Sequence, residues 1–89
     1  MIYYVYSIFD AVQNNFQANL MLAVNDEDAK RNFSALVNSP GTIYNMFPTD
    51  FKLYKLAAYN LHEGTFEDSI PSVVCNGGDV LAKKKEGAH

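Results

Sequence analysis

The chain of 89 residues has no tryptophan and a single cysteine, Cys75. A lone cysteine excludes an internal disulfide framework and fits a reducing compartment. No apolar run approaches the roughly 18–20 residues that a membrane-spanning helix needs. The first lysine is Lys30, so the start lacks the basic flank of a secretory signal. The expectation is a soluble intracellular protein with no membrane association. Positive charge is scarce too: seven Lys and Arg against ten Asp and Glu leave a net charge of −3. The field of the whole molecule therefore does not draw nucleic acid, and any such binding needs a local patch. Catalytic signatures are also missing. Cys75 and His62 are the candidate nucleophile and base, nothing in the sequence brings them together, and no Walker, Rossmann or G-x-S-x-G pattern occurs. Cys75 reads as a small buried hydrophobe. No catalytic residue and no cofactor are assigned, and the chain is read as not an enzyme. Asp26, Glu27 and Asp28 are adjacent but would point in different directions on a helix, unlike the spaced ligands of a calcium loop, so no metal site is assigned.

What is abundant is apolar and aromatic. The hydrophobic fraction is 48%, with six Tyr and six Phe, which predicts one globular domain with a single modest core. The densest stretch is Ile2–Asp10, whose branched and aromatic residues favour a strand with apolar groups on both faces. Ile2, Tyr4, Tyr6 and Ile8 share one face; Tyr3, Val5 and Phe9 share the other. Such a strand belongs in the middle of a sheet, covered twice. Gln13-Asn14-Asn15 is turn chemistry, and Phe16–Val24 returns as an antiparallel partner. Asn25 or Asp26 caps a helix that runs to about Asn38, with Ala29, Phe33, Leu36 and Val37 as its apolar stripe and Ser39-Pro40-Gly41 as its stop. Thr42–Phe47 predicts one helical turn that packs Ile43, Met46 and Phe47 on the core, followed by a turn at Pro48-Thr49-Asp50.

A third strand is predicted over Phe51–Tyr59, with Tyr54, Leu56 and Ala58 on one side and Leu53, Lys55, Ala57 and Tyr59 on the other. Asn60–Gly64 is a hairpin loop, and Thr65–Ser69 is a short edge strand. Ser72–Cys75 is extended, and Asn76-Gly77-Gly78-Asp79 turns. The sum is an α+β two-layer sandwich, β-β-α-β-β, with an antiparallel sheet of about four strands and one main helix on one face. The domain spans residues 1–82, and residues 83–89 form a basic mobile tail. One helix leaves the other sheet face open and aromatic, the kind of patch that marks a partner surface.

Aromatic side chains on an open sheet can stack unpaired bases. The candidate nucleic-acid residues are Tyr54 on the third strand, Lys52 and Lys55 beside it, Lys30 and Arg31 on the helix, and the tail lysines Lys83, Lys84 and Lys85. Set against this, the balance for any one aromatic favours core or a homodimer closed by the open face, and the lysine run can equally be a solvated end.

These stretches, taken together, resemble the small non-structural protein encoded by gokushovirus-type microviruses, which are single-stranded DNA phages. Tyr4–Asp10 is similar to that family's opening V-Y-S-I-F-D; Ala29, Arg31 and Phe33 match its A-x-R-x-F, with Asn38 and Pro40 following. Pro48, Asp50, Phe51 and Leu53 match its P-x-D-F-x-L, Tyr59-Asn60 and Gly64 fall where it has an aromatic-acid pair and a glycine, and Asn76-Gly77 resembles its late N-G. The likeness covers residues 3–77. Asn60 stands where the family has an acid, and Ala57-Ala58 where a glycine is common. The resemblance implies a non-catalytic, single-stranded-DNA-binding accessory protein of the host bacterial cytoplasm, acting in genome synthesis or packaging. The alternative is a dimeric interaction or scaffolding module that contacts the phage replication or capsid protein.

Overall fold

The computed structural model describes residues 1–67 and 71–82. Its centre is an antiparallel pair of long strands, β1 (Ile2–Asp10) and β4 (Phe51–Asn60), joined from Ile2 opposite Asn60 to Asp10 opposite Phe51. Outside β1 lie β2 (Asn15–Phe16) and β3 (Met21–Ala23); outside β4 lie β5 (Thr65–Glu67) and β6 (Ser72–Asn76). The four-strand expectation therefore becomes six strands in four sheet positions, because each edge chain is broken in two. On the β1 side the break falls at residues 17–20, where Ser7 Oγ donates to the carbonyl of Gln17 at 3.0 Å and Tyr44 Oη donates to Gln17 Oε1 at 2.7 Å. Gln17 still holds β1 through its amide, which donates to the carbonyl of Ile8 at 2.8 Å, and the pairing lapses after it.

Both tight turns are held by the residue that ends the preceding strand. Asp10 Oδ1 accepts from the amides of Val12 and Gln13, and Asn14 takes the positive φ of 58° that asparagine tolerates. Asn60 Oδ1 accepts from the amides of His62 and Glu63 in the same way, and Gly64 closes that hairpin at φ 71°. Asn60 supplies the acceptor that an aspartate would, so its departure from the resembled pattern leaves the hairpin intact.

Helix α1 (Asp26–Val37) covers one face of the sheet. Asn25 caps it, accepting from the amide of Asp28 at 2.8 Å, and the first-turn carboxylates sit at the positive end of the dipole. Ala29, Phe33 and Val37 are buried against Tyr6, Ile8, Ala23, Phe51 and Leu53, which form the core as the apolar stripe predicts. Asn38 closes the helix and holds residues 80–82 against it: its Nδ2 donates to the carbonyl of Val80 at 3.0 Å and its Oδ1 accepts from the amide of Ala82 at 2.7 Å.

Two short helices follow the predicted turns but differ in detail. In α2 (Ile43–Met46) it is Tyr44 that packs inward, edge-on to Phe51 at 4.8 Å. Ile43, Met46 and Phe47 stay exposed, which overturns the expectation that they join the core. Thr42 fixes this by capping the turn, accepting from the amide of Asn45 at 3.1 Å, and a single turn can bury only one side. The Asn76–Asp79 stretch is not a plain turn but the start of α3 (Gly77–Val80), closed by a reciprocal capping box between Asn76 and Asp79. Gly77 is buried where a Cβ would stand 2.1 Å from the carbonyl oxygen of Pro48, in the 3-10 turn Pro48–Asp50. Gly78 has only the Thr49 methyl at 3.0 Å and Asn76 Oδ1 at 3.2 Å. Gly77→Ala therefore lowers stability by roughly 1–3 kcal/mol through overpacking, and Gly78→Ala by less; urea denaturation of the two variants side by side checks the order.

Candidate functional site

The face of the sheet opposite α1 is built by alternation along β1 and β4 and by one irregularity between them. Val5 lies opposite Ala57 but Tyr6 lies opposite Lys55, so Leu56 is the extra residue of a bulge. Simple alternation would put Tyr54 and Tyr59 on opposite faces. The bulge puts them on the same one: it brings Ala57 and Tyr59 to the face of Tyr54 and turns Ala58 to the helix side, where Lys55 already lies. The resulting face carries Phe9, Phe16 and Tyr54, whose rings meet edge-on at centroid distances of 5.1, 5.9 and 5.2 Å. Further along, Tyr59 packs on Phe66 at 5.1 Å. Between the two groups runs an apolar trough lined by Val5, Leu20, Leu22, Tyr59 and Phe66. Phe66 is 66% exposed, and Phe16, Leu20, Leu22 and Val73 are exposed as well.

The sequence-derived cations do not gather on this face. Lys52, opposite Phe9 on β1 and Asn76 on β6, is there by register. Lys55 is on the other side, with Nζ 3.3 Å from Asp26 Oδ1 and 4.7 Å from the centre of the Tyr4 ring. Lys30 lies on α1 with Nζ 4.0 Å from Glu27 Oε1 and shares one cavity with Arg31, which on its other side lines a second cavity with Tyr3, Leu22, Val24 and Asp28. Lys83, Lys84 and Lys85 lie outside the described residues. Tyr54 is in the aromatic cluster; Phe9, Phe16, Tyr59 and Phe66 join it, and sequence reasoning did not single them out. Their strand pattern held part of that signal, but the bulge has no mark in the sequence.

The other polar constellation is structural. Tyr6 Oη, on a fully buried side chain, donates to Asp26 Oδ1 at 2.6 Å, and Lys55 pairs with the same oxygen. This ties the first residue of α1 to both central strands. Tyr6's hydrogen bond, with Lys55 beside it, holds the Asp26 carboxyl below its ordinary range against the opposing effect of burial. Burial, then the Asp26 carboxylate, pushes the Tyr6 phenol up. Cys75, half-buried on β6, has its thiol pushed up by burial. It pairs with Leu53, whereas His62 lies beyond Asn60, about 23 Å further along β4 at the usual strand rise. Among the described residues no group of three or more His, Cys, Asp or Glu comes together, and no helix is long and apolar enough to cross a membrane.

A small antiparallel sheet with one helix-covered face and one aromatic face defines an α+β module built around an open sheet. The chain belongs to the family described as Phage ORF5 protein, whose model matches residues 3–80, and it is thus a phage protein. No curated protein and no solved structure matches it.

The Tyr6–Asp26 pair gives stability a pH dependence of definite sign. A depressed folded pKa makes Asp26 stabilising above the unfolded value of about 3.9, and that contribution is lost as pH falls below it. A raised folded pKa makes Tyr6 stabilising below about 10, lost as pH rises through and beyond that value. Tyr6→Phe removes the alkaline limb, weakens the acid limb that Lys55 still supports, and costs roughly 1–2 kcal/mol at neutral pH. Urea midpoints followed across the pH range read this as a flatter profile for the variant than for the parent.

Proposed function

We propose that the helix-free face of the sheet binds single-stranded DNA, in a non-catalytic accessory protein of a gokushovirus-type phage that serves genome synthesis or packaging in the host cytoplasm. The observation that carries this reading is the gathering of Phe9, Phe16, Tyr54, Tyr59 and Phe66 on one open face with Lys52 among them. Every base has a π-face, and base–aromatic stacking contributes about 1–3 kcal/mol per base. The trough between the two clusters is apolar, so it discriminates weakly among bases. With Lys52 among the rings, Arg31 at the Leu22 edge and a net charge of −3, stacking rather than phosphate attraction supplies most of the affinity. A second reading, a dimeric or adaptor module, draws on Leu20, Leu22 and Val73, which are exposed aliphatics beside the same rings. They suit a protein surface better than a base.

Anisotropy of labelled oligo-dT, titrated at low and moderate salt, separates the two. On the DNA reading the oligonucleotide binds with a shallow salt slope, about −0.7 per lysine engaged on a single strand. Phe66→Ala and Tyr54→Ala each weaken binding by about tenfold, Lys52→Glu weakens it, and Lys55→Met leaves it unchanged. If oligo-dT fails to bind at low salt while sedimentation detects a dimer that Phe66→Glu dissolves, the DNA reading gives way to the second.

A further inference from the structure

A second exposed apolar surface lies at the end of the sheet remote from the Asn60–Gly64 hairpin. The loop after β1 is tied to the 3-10 turn by the Ala11 amide, which donates to the carbonyl of Asp50 at 2.9 Å. Between that loop and α2 opens a groove lined by Val12, Ile43, Phe47 and the buried Phe51, together with Gln13 and the acidic residues Asp10 and Asp50. Val12 is 73% exposed, Ile43 51% and Phe47 53%, and Met46 on the same short helix is 60% exposed. Ile43 and Phe47 are four residues apart and so share one side of the turn. Side chains of this size exposed together, including an aromatic, have the composition of an interface centre. The ion pairs among the described residues are Lys30–Glu27 and Lys55–Asp26, and neither involves Asp10 or Asp50.

We propose that this groove docks a peptide segment of another protein in which a large apolar side chain stands next to lysine or arginine. The apolar lining takes the first and the two carboxylates attract the second. The same carboxylates repel phosphate, so this end of the molecule is not part of a nucleic-acid surface. The inference stands whether or not the aromatic face binds DNA, because the two surfaces share no residue.

The probes are two short fluorescein-labelled peptides of equal leucine and phenylalanine content, one rich in lysine and the other in glutamate, titrated against the full chain. The lysine peptide binds and the glutamate peptide does not. Phe47→Ala weakens the lysine peptide by about tenfold, the effect of losing a central aromatic anchor. Asp50→Asn and Asp10→Asn weaken it several-fold and reduce its salt sensitivity. Asparagine at position 10 keeps the oxygen that accepts from Val12 and Gln13, so the loop survives. Equal binding of both peptides overturns the proposal. So does binding of the lysine peptide that Phe47→Ala and Asp50→Asn leave unchanged, since that is nonspecific attraction to an acidic protein. Self-association abolished by Phe47→Ala, with no peptide bound, overturns it too and assigns the groove to a second copy of this chain.

Discussion

The ladder between β1 and β4 joins residues 2–10 to residues 51–60 across the α1 crossover, and every other element is positioned from it. β2 and β3 pair only with β1, and β5 and β6 only with β4. Because both central strands carry apolar groups on two faces, the sheet has more surface to cover than a helix of 12 residues can reach. The helix takes Tyr6, Ile8, Phe51 and Leu53. The uncovered side keeps its aromatics, which cover one another edge to face and leave their outer rims in solvent. The open face is thus a consequence of how much helix the chain contains.

Helix placement depends on one polar knot. Asp26 is both the first residue of α1 and the acceptor for Tyr6 from β1 and Lys55 from β4, so a single carboxylate oxygen sets the helix against both strands. A hydroxyl on a fully buried side chain needs a partner, and Asp26 meets that need while its own charge stays half in solvent. This arrangement also removes Lys55 from any role on the opposite face. Two surfaces of unlike character remain. One is aromatic with Lys52 in it; the other is apolar with Asp10 and Asp50 in its lining.

Local patterns were legible where one residue type has one physical use. The Ile2–Asp10 strand, the capped helix with its Ala29–Phe33–Val37 stripe and the glycine at the second hairpin all follow from propensity, period and turn chemistry. Legibility failed where several packings were open. Phe16–Val24 alternates well enough for one continuous strand, but its pairing with β1 lapses just past Gln17, whose carbonyl and side chain are taken by Ser7 and Tyr44. Thr42–Phe47 offers four large apolar or aromatic side chains, and only Tyr44 finds the core.

The sequence by itself determined the class of fold, the central strand, the helix and the turns, because these rest on interactions between residues a few positions apart. It also determined that cations would be few. Which of them act together was decided only by the tertiary structure. The bulge at Leu56 depends on how β4 meets β1, a pairing of residues some fifty positions apart, and it brings Ala57 and Tyr59 to the face of Tyr54 while turning Ala58 to the other. A shift of one residue in register reverses every side chain beyond it, so alternation could place Lys52 with Tyr54 and Lys55 opposite them, but no local pattern in β4 could have told that Tyr59 would join Tyr54.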